Sequence, residues 1–342
     1  MARSLLLSIG LVGSLVAASA AVPACSNPGE EYEEELGEGS EDAYTTQGTC
    51  DGLPRLKNLE TPPGVCVGVV ASGFTFARGI AQLPSGDFIL AEMGGWAQDR
   101  GKIWLLSRKA DGSFDKKILL RQIDKPSGVA VGPDGLPYVG TPKNIFRFDP
   151  YVIDPRYGQP RLKLVVKDLP GLGRHPLSKF VFDERDPWTL YVNVGSASDV
   201  CEQGSGARPP SGYPMPCPES DGPSPHGVLR KYTLDGPDHT ASGYTVLAKG
   251  LRNSMSLAVH PTSNALLQAE NSRDSIHKHA ASLAAQEEDL PHEELNVIVP
   301  GAHYGWPYCY DNGTPNPEYL GRVDCSRYAN PTMLLPGHAS PL

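Results

Sequence analysis

The sequence predicts an all-β fold, a β-propeller with about four recognisable blades, on three observations. The first is punctuation: 37 Gly and 33 Pro stand among 342 residues without a three-residue period, which marks a turn-dense chain and excludes collagen. The second is patterning. Apolar residues alternate in short runs bounded by Gly, Pro and Asp, as half-buried strands do, so a helical bundle is disfavoured. The third is repetition: Ile80, Val129, Phe180 and Leu257 open four similar units at intervals of 49, 51 and 77 residues, a period suited to propeller blades and foreign to a sandwich.

Residues 1–24 read as a signal peptide, because Arg3 precedes an apolar run from Leu5 to Ala20 that is too short to span a bilayer. Val22-Pro23-Ala24-Cys25-Ser26 resembles the lipobox of bacterial lipoproteins. That resemblance implies acylation of Cys25 and an exported protein of the bacterial cell envelope, periplasmic or on the outer membrane, held to the membrane by its lipid. Residues 25–49 form an acidic tether, in which Glu30-Glu31-Tyr32-Glu33-Glu34-Glu35 repels itself and cannot bury a core. Residues 50–342 are assigned to the propeller.

Six further cysteines, Cys50, Cys66, Cys201, Cys217, Cys309 and Cys325, fall in three successive pairs, each sixteen apart. Six cysteines allow fifteen pairings. The equal spacing favours three local bridges in an oxidising compartment, each contributing about 3 kcal/mol through loop entropy. No C-x-x-C spacing supports a zinc site. A net charge of -9 without a Lys/Arg-rich run excludes nucleic acid as a partner.

Each propeller unit opens with a hairpin. The first runs from Gly79 to Leu90 around Pro84-Ser85-Gly86-Asp87, and the second from Gly128 to Val139 around Pro133-Asp134-Gly135. The third turns at Asp183 to Asp186 and the fourth at His260-Pro261. A further strand ends each sheet, as in Gly101 to Leu106, Asn144 to Phe148 and Gly227 to Tyr232. Val65 to Ala71 reads as an N-terminal strand of the kind that pairs with a propeller's final blade, and here it is expected to have no partner. The Ala-rich and acid-rich insertion Ser275 to Asp289 reads as a short solvated helix that widens the last interval.

Four stretches are the most specific: Gly250-Leu251-Arg252-Asn253, Gln268-Ala269-Glu270-Asn271-Ser272-Arg273-Asp274, Glu293-Glu294-Leu295-Asn296, and Gly301-Ala302-His303-Tyr304-Gly305-Trp306-Pro307. From about Phe76 onward they resemble the quinoprotein glucose and sorbosone dehydrogenases, six-bladed propellers. Tyr308-Cys309 and the Asn-x-Arg-Asp element at Asn271 lie nearer the sorbosone branch. The resemblance implies an oxidoreductase that moves hydride from a sugar or aldehyde to pyrroloquinoline quinone, with an external electron acceptor downstream. It implies His175 as general base, a role suited to an imidazole that titrates near the working pH. Arg252 takes a catalytic part and, with Asn253, binds the cofactor, where a cation and an amide donor stabilise the reduced quinone. The main-chain carbonyls of Asn271 and Ser272 are the implied ligands of a calcium ion, which takes oxygen donors.

The chain stops at Pro336 to Leu342, which resembles the opening of the family's next blade. A fragment of a longer enzyme is the expectation, lacking the lysine and two arginines that clamp the cofactor's carboxylates in later blades. Two other functions compete. One is a calcium-dependent propeller lactonase with Glu92, Asn193 and Asp199 as metal ligands, and the other a non-catalytic envelope binding propeller. Trp306, beside Gly and Pro, reads as packing between blades and not as a sugar platform.

Overall fold

Turn chemistry closes the hairpins. In the first unit Gly86 takes a φ of 92° and the Leu83 N–H donates to Asp87 O at 2.8 Å; Gly135, at 75°, repeats the turn in the second. Glycine reaches this left-handed region without strain. In the third unit the Asp183 carboxylate accepts from the N–H groups of Arg185 and Asp186 instead. The computed structural model describes residues 45–57, 59–202, 212–235, 240–274, 276–286 and 289–339. The signal segment, Cys25 and the Glu30 to Glu35 run lie outside the described residues.

Four four-stranded antiparallel sheets result, and the first strands of successive sheets pack side by side as propeller blades. The first blade comprises Ala77–Gln82, Phe88–Glu92, Gly101–Arg108 and Phe114–Ile123. Val129–Val131, Pro137–Gly140, Ile145–Arg147 and Lys163–Val166 make the second. The third is Phe180–Phe182, Thr189–Val194, Val228–Asp235 and Thr240–Lys249, and the fourth Ser254–Val259, Leu266–Glu270, Glu293–Val297 and Met333–Leu335. The strands at Gly101, Ile145 and Val228 are thus third in their sheets, not last.

Two other expectations are corrected. Val65 to Ala71 is no blade strand: its contact is an isolated bridge from Gly68 to Arg55, where the hairpin Thr46–Cys50 and Leu53–Leu56 and the Cys50–Cys66 bond hold it. The insertion after Asp274 forms two 3-10 segments, Ile276–Lys278 and Ala281–Gln286, and Ile276 is fully buried.

Apolar cores fill the gaps between blades. Ile89, Ile103 and Leu120 of the first meet Val139 and Phe148 of the second, Tyr138 and Val166 meet Phe180 and Leu190 of the third, and Leu229 meets Leu266 of the fourth. Full burial of such a side chain is worth about 1.5–3 kcal/mol. A separate core is built from loops: Tyr213, Tyr308 and Tyr319 pack around the Cys201–Cys217 and Cys309–Cys325 bonds. All three pairs spaced by sixteen are therefore bonded to each other.

Candidate functional site

Antiparallel order puts the start of each first strand and the end of each second strand at the same edge of a blade. His175 precedes Phe180–Phe182, and Ser196 follows Thr189–Val194. Arg252 and Asn253 precede Ser254–Val259, and Asn271 follows Leu266–Glu270. Main-chain hydrogen bonds stitch the four segments into a row. Arg174 N donates to Ala197 O at 2.9 Å, His175 N to Ser196 O at 3.2 Å, Ser196 N to Arg252 O at 2.7 Å, and Asn271 N to Asn253 O at 3.0 Å. A Cβ at Gly195 would collide with the His175 carbonyl, so the approach needs glycine. His175, Arg252, Asn253, Asn271 and Ser272 are thus brought together.

His175 is 6% exposed. Its Nδ1 lies 2.7 Å from Ser196 Oγ and 3.1 Å from Ser196 O. The serine hydroxyl donates its own proton to Ser198 O at 2.7 Å, so toward the imidazole it accepts, as the carbonyl must. Both contacts require a proton on Nδ1, which puts the basic lone pair on Nε2. Burial, then the positive charges of Arg252 and Arg174, hold the ring well below the usual histidine range against the pull of Asp199.

Asp199 is the electrostatic hub of the site. One carboxylate oxygen accepts from Arg252 Nη2 at 2.7 Å and Nε at 3.1 Å, the other lies 3.1 Å from Arg273 Nη2, and Arg174 stands at 3.8 Å. Burial alone would raise its pKa, but the Arg273, Arg252 and Arg174 guanidiniums outweigh that and hold the carboxyl well below the ordinary range. Arg273 also forks onto Glu318 with both arms at 2.8 Å. The Trp306 indole donates to Asp199 O at 2.7 Å, so this side chain packs against the hub.

Asn271 O and Ser272 O, the carbonyls expected to hold calcium, both accept from Arg252 Nη1, at 3.2 and 2.6 Å. Calcium takes six to eight oxygen ligands, and two carbonyls already engaged by a guanidinium do not offer a start toward that shell. These residues do not fit a calcium ion while Arg252 holds its place. Asn271 Oδ1 is buried without a hydrogen-bond partner, an acceptor open to a donor on a polar ligand.

Glu270 and Glu294 face each other across two buried strands. Burial pushes Glu270 up to about 8 and Glu293 up to about 7; it drives Glu294 well above the usual range, with the Glu270 charge adding to the effect. With Arg252 and Tyr310 the facing pair walls a cleft that His175 does not line. A raised folded pKa means stability that is full below about 4.5 and lost as pH rises through about 8. Glu294→Gln is accordingly expected to raise Tm by roughly 5 °C at pH 8 and hardly at all at pH 4.5. Equal shifts at both pH values in thermal melts would reject the like-charge account.

The three lactonase candidates are not gathered. Glu92 accepts from Trp104 Nε1 at 2.5 Å and from Thr75 N at 3.0 Å in the first blade, while Asn193 bridges Lys179 N and Leu177 O in the third. Among the described residues no group of three or more His, Cys, Asp or Glu side chains is spaced to hold a metal ion.

A family profile described as TrAA12-like matches residues 218–322. Among solved structures, the chain is similar to the Trichoderma reesei Carbohydrate-Active Enzymes Family AA12 protein in its iodide form, with 20% identity and a TM-score of 0.61 over 88% of this chain and 74% of that one. The holo PQQ domain of pyranose dehydrogenase from Coprinopsis cinerea is 19% identical, with a TM-score of 0.56 over 79% of this chain and 67% of that one. An uncharacterized protein of Borreliella burgdorferi is 27% identical over 99 residues, which make 28% of this chain and 24% of the relative. The match therefore spans about a quarter of that relative's length. The fold is the all-β propeller found in PQQ-type sugar oxidoreductases.

Proposed function

We propose that this propeller belongs to an exported, quinone-dependent dehydrogenase that oxidises a sugar or an aldehyde, with His175 as general base. The observation that carries the reading is the imidazole itself: Nδ1–H is tied to Ser196, and the basic Nε2 belongs to a ring kept neutral by burial and two arginines. Likeness to the PQQ domain of a pyranose dehydrogenase supports the cofactor and the substrate class. Pyrroloquinoline quinone, when bound, supplies the two-electron acceptor for the substrate's hydride.

The chain's own residues do the rest. His175 Nε2 takes the substrate's hydroxyl proton, and the imidazolium so formed is stabilised by Asp199. Asn253 would offer its amide N–H to a cofactor oxygen, and Arg252 would set a fixed positive charge beside it. An external acceptor would return the cofactor to its oxidised form. The lipobox-like Cys25 supports a place in the cell envelope, and Cys25→Ser is expected to release the protein from the membrane fraction.

Titrating the purified chain with pyrroloquinoline quinone, then adding aldoses or sorbosone, tests the reading. A saturable absorbance change followed by substrate-dependent reduction is expected. Absence of cofactor binding, with or without added calcium, would sink it.

A further inference from the structure

Two neighbouring main-chain carbonyls, Asn271 O and Ser272 O, converge on one group, and that group is a side chain of the protein. Arg252 is 2% exposed. Its Nη1 donates to both carbonyls, at 3.2 and 2.6 Å, while Nε and Nη2 donate to Asp199 at 3.1 and 2.7 Å. Its own N–H is held by Glu270 at 2.8 Å, and Ser272 N by Glu293 at 3.1 Å, so both sides of the contact are anchored. We propose that the Arg252 guanidinium is the resident cation of this site, standing between the Asn271 and Ser272 carbonyls where a divalent ion would otherwise bind.

The charges around the group argue the same way. A divalent ion entering here must expel a buried guanidinium from a forked ion pair, and breaking such a pair costs about 3–5 kcal/mol. The carboxylate left behind is not available to the newcomer, because Arg273 stands 3.1 Å and Arg174 3.8 Å from it. A dication would then compete for one carboxylate and two carbonyls with three guanidiniums, of which Arg252 alone holds both the carbonyls and Asp199 Oδ1. Arginine supplies a charge that does not titrate and a planar set of donors, so the electrophilic role assigned to a Lewis acid in related chemistry falls to Arg252. The inference deepens the dehydrogenase reading but does not need it, since it concerns which cation the carbonyls hold.

Terbium, a luminescent substitute for calcium, tests it on the full chain without quinone or sugar. Trp306 donates to Asp199 O, so an ion at the two carbonyls would lie close enough for the indole to sensitise its emission. Wild-type protein is expected to show no Trp306-sensitised, calcium-displaceable emission up to about 1 mM ion, the weak end of protein calcium sites. Arg252→Ala uncovers the carbonyls and is expected to bind at least ten times more tightly. Saturable emission from the wild type that calcium displaces and Trp306→Phe abolishes would overturn the assignment. So would an Arg252→Ala protein that melts cooperatively yet gains no ion. Should that variant not fold, the wild-type titration decides alone. Failure of quinone binding would count against the dehydrogenase and leave the terbium result standing.

Discussion

Asp199→Ala is expected to lower stability by about 3–5 kcal/mol, a fall in Tm of roughly 10 °C, although the side chain lies in a loop and touches no apolar core. The physical reason is the company it keeps. Arg252, Arg273 and Arg174 converge on this one carboxylate, which is 7% exposed. After its removal Arg273 keeps Glu318 and Arg174 keeps Glu202. Arg252 retains neutral carbonyls and faces two like charges in a poorly solvated setting. Added salt should not rescue the variant, because screening acts on exposed charges. Asp199→Asn, which keeps an acceptor, should lose less. The pKa of Asp199 is lowered on folding, so its contribution is present above the unfolded value of 3.8 and lost as pH falls through its lower folded value. Melting temperatures of wild type and Asp199→Ala should therefore converge only in strong acid. A gap of less than about 2 °C at neutral pH would remove the hub.

Local signals in the sequence reached the hairpins and stopped where long-range contacts begin. Pro84 to Asp87 and Pro133 to Gly135 announce their turns because glycine and aspartate act within four residues. The equal cysteine spacing likewise pointed to bonds that form locally. The outer strand Phe114–Ile123 escaped notice, since Asp115, Lys116 and Lys117 give its exposed half no apolar beat. Asp199 was legible only as a metal ligand of the lactonase alternative: its partner Arg252 lies 53 residues away, and Arg273 meets Glu318 across 45. No spacing rule joins residues from different loops of a propeller. For the same reason the carbonyls of Asn271 and Ser272 could be named as acceptors while their donor could not. Glu294 sat in a recognised stretch, yet its raised pKa follows from burial and from register with Glu270, which only the paired strands reveal.

If His175 is the proposed base, His175→Ala is expected to lower kcat by about 10²–10⁴-fold with little change in KM, because the role proposed for the imidazole is proton transfer and not substrate binding. Loss of packing would instead lower cofactor binding and Tm, so both should be measured beside turnover. The pH dependence separates a base from a structural histidine. Burial and the Arg252 and Arg174 charges hold the ring below 6.5, so the acidic limb of kcat/KM should fall in that lower range, with protonated enzyme inactive. Arg252→Ala removes one of those charges and should move whatever limb survives upward, toward the ordinary histidine value. Ser196→Ala should cost about tenfold or less, about 1 kcal/mol, because the Ser196 carbonyl at 3.1 Å still fixes the proton on Nδ1. A His175→Ala enzyme that turns over at the wild-type rate would leave the chemistry to another base. Full activity in Ser196→Ala with a shifted limb, by contrast, would keep His175 and reassign only what orients it.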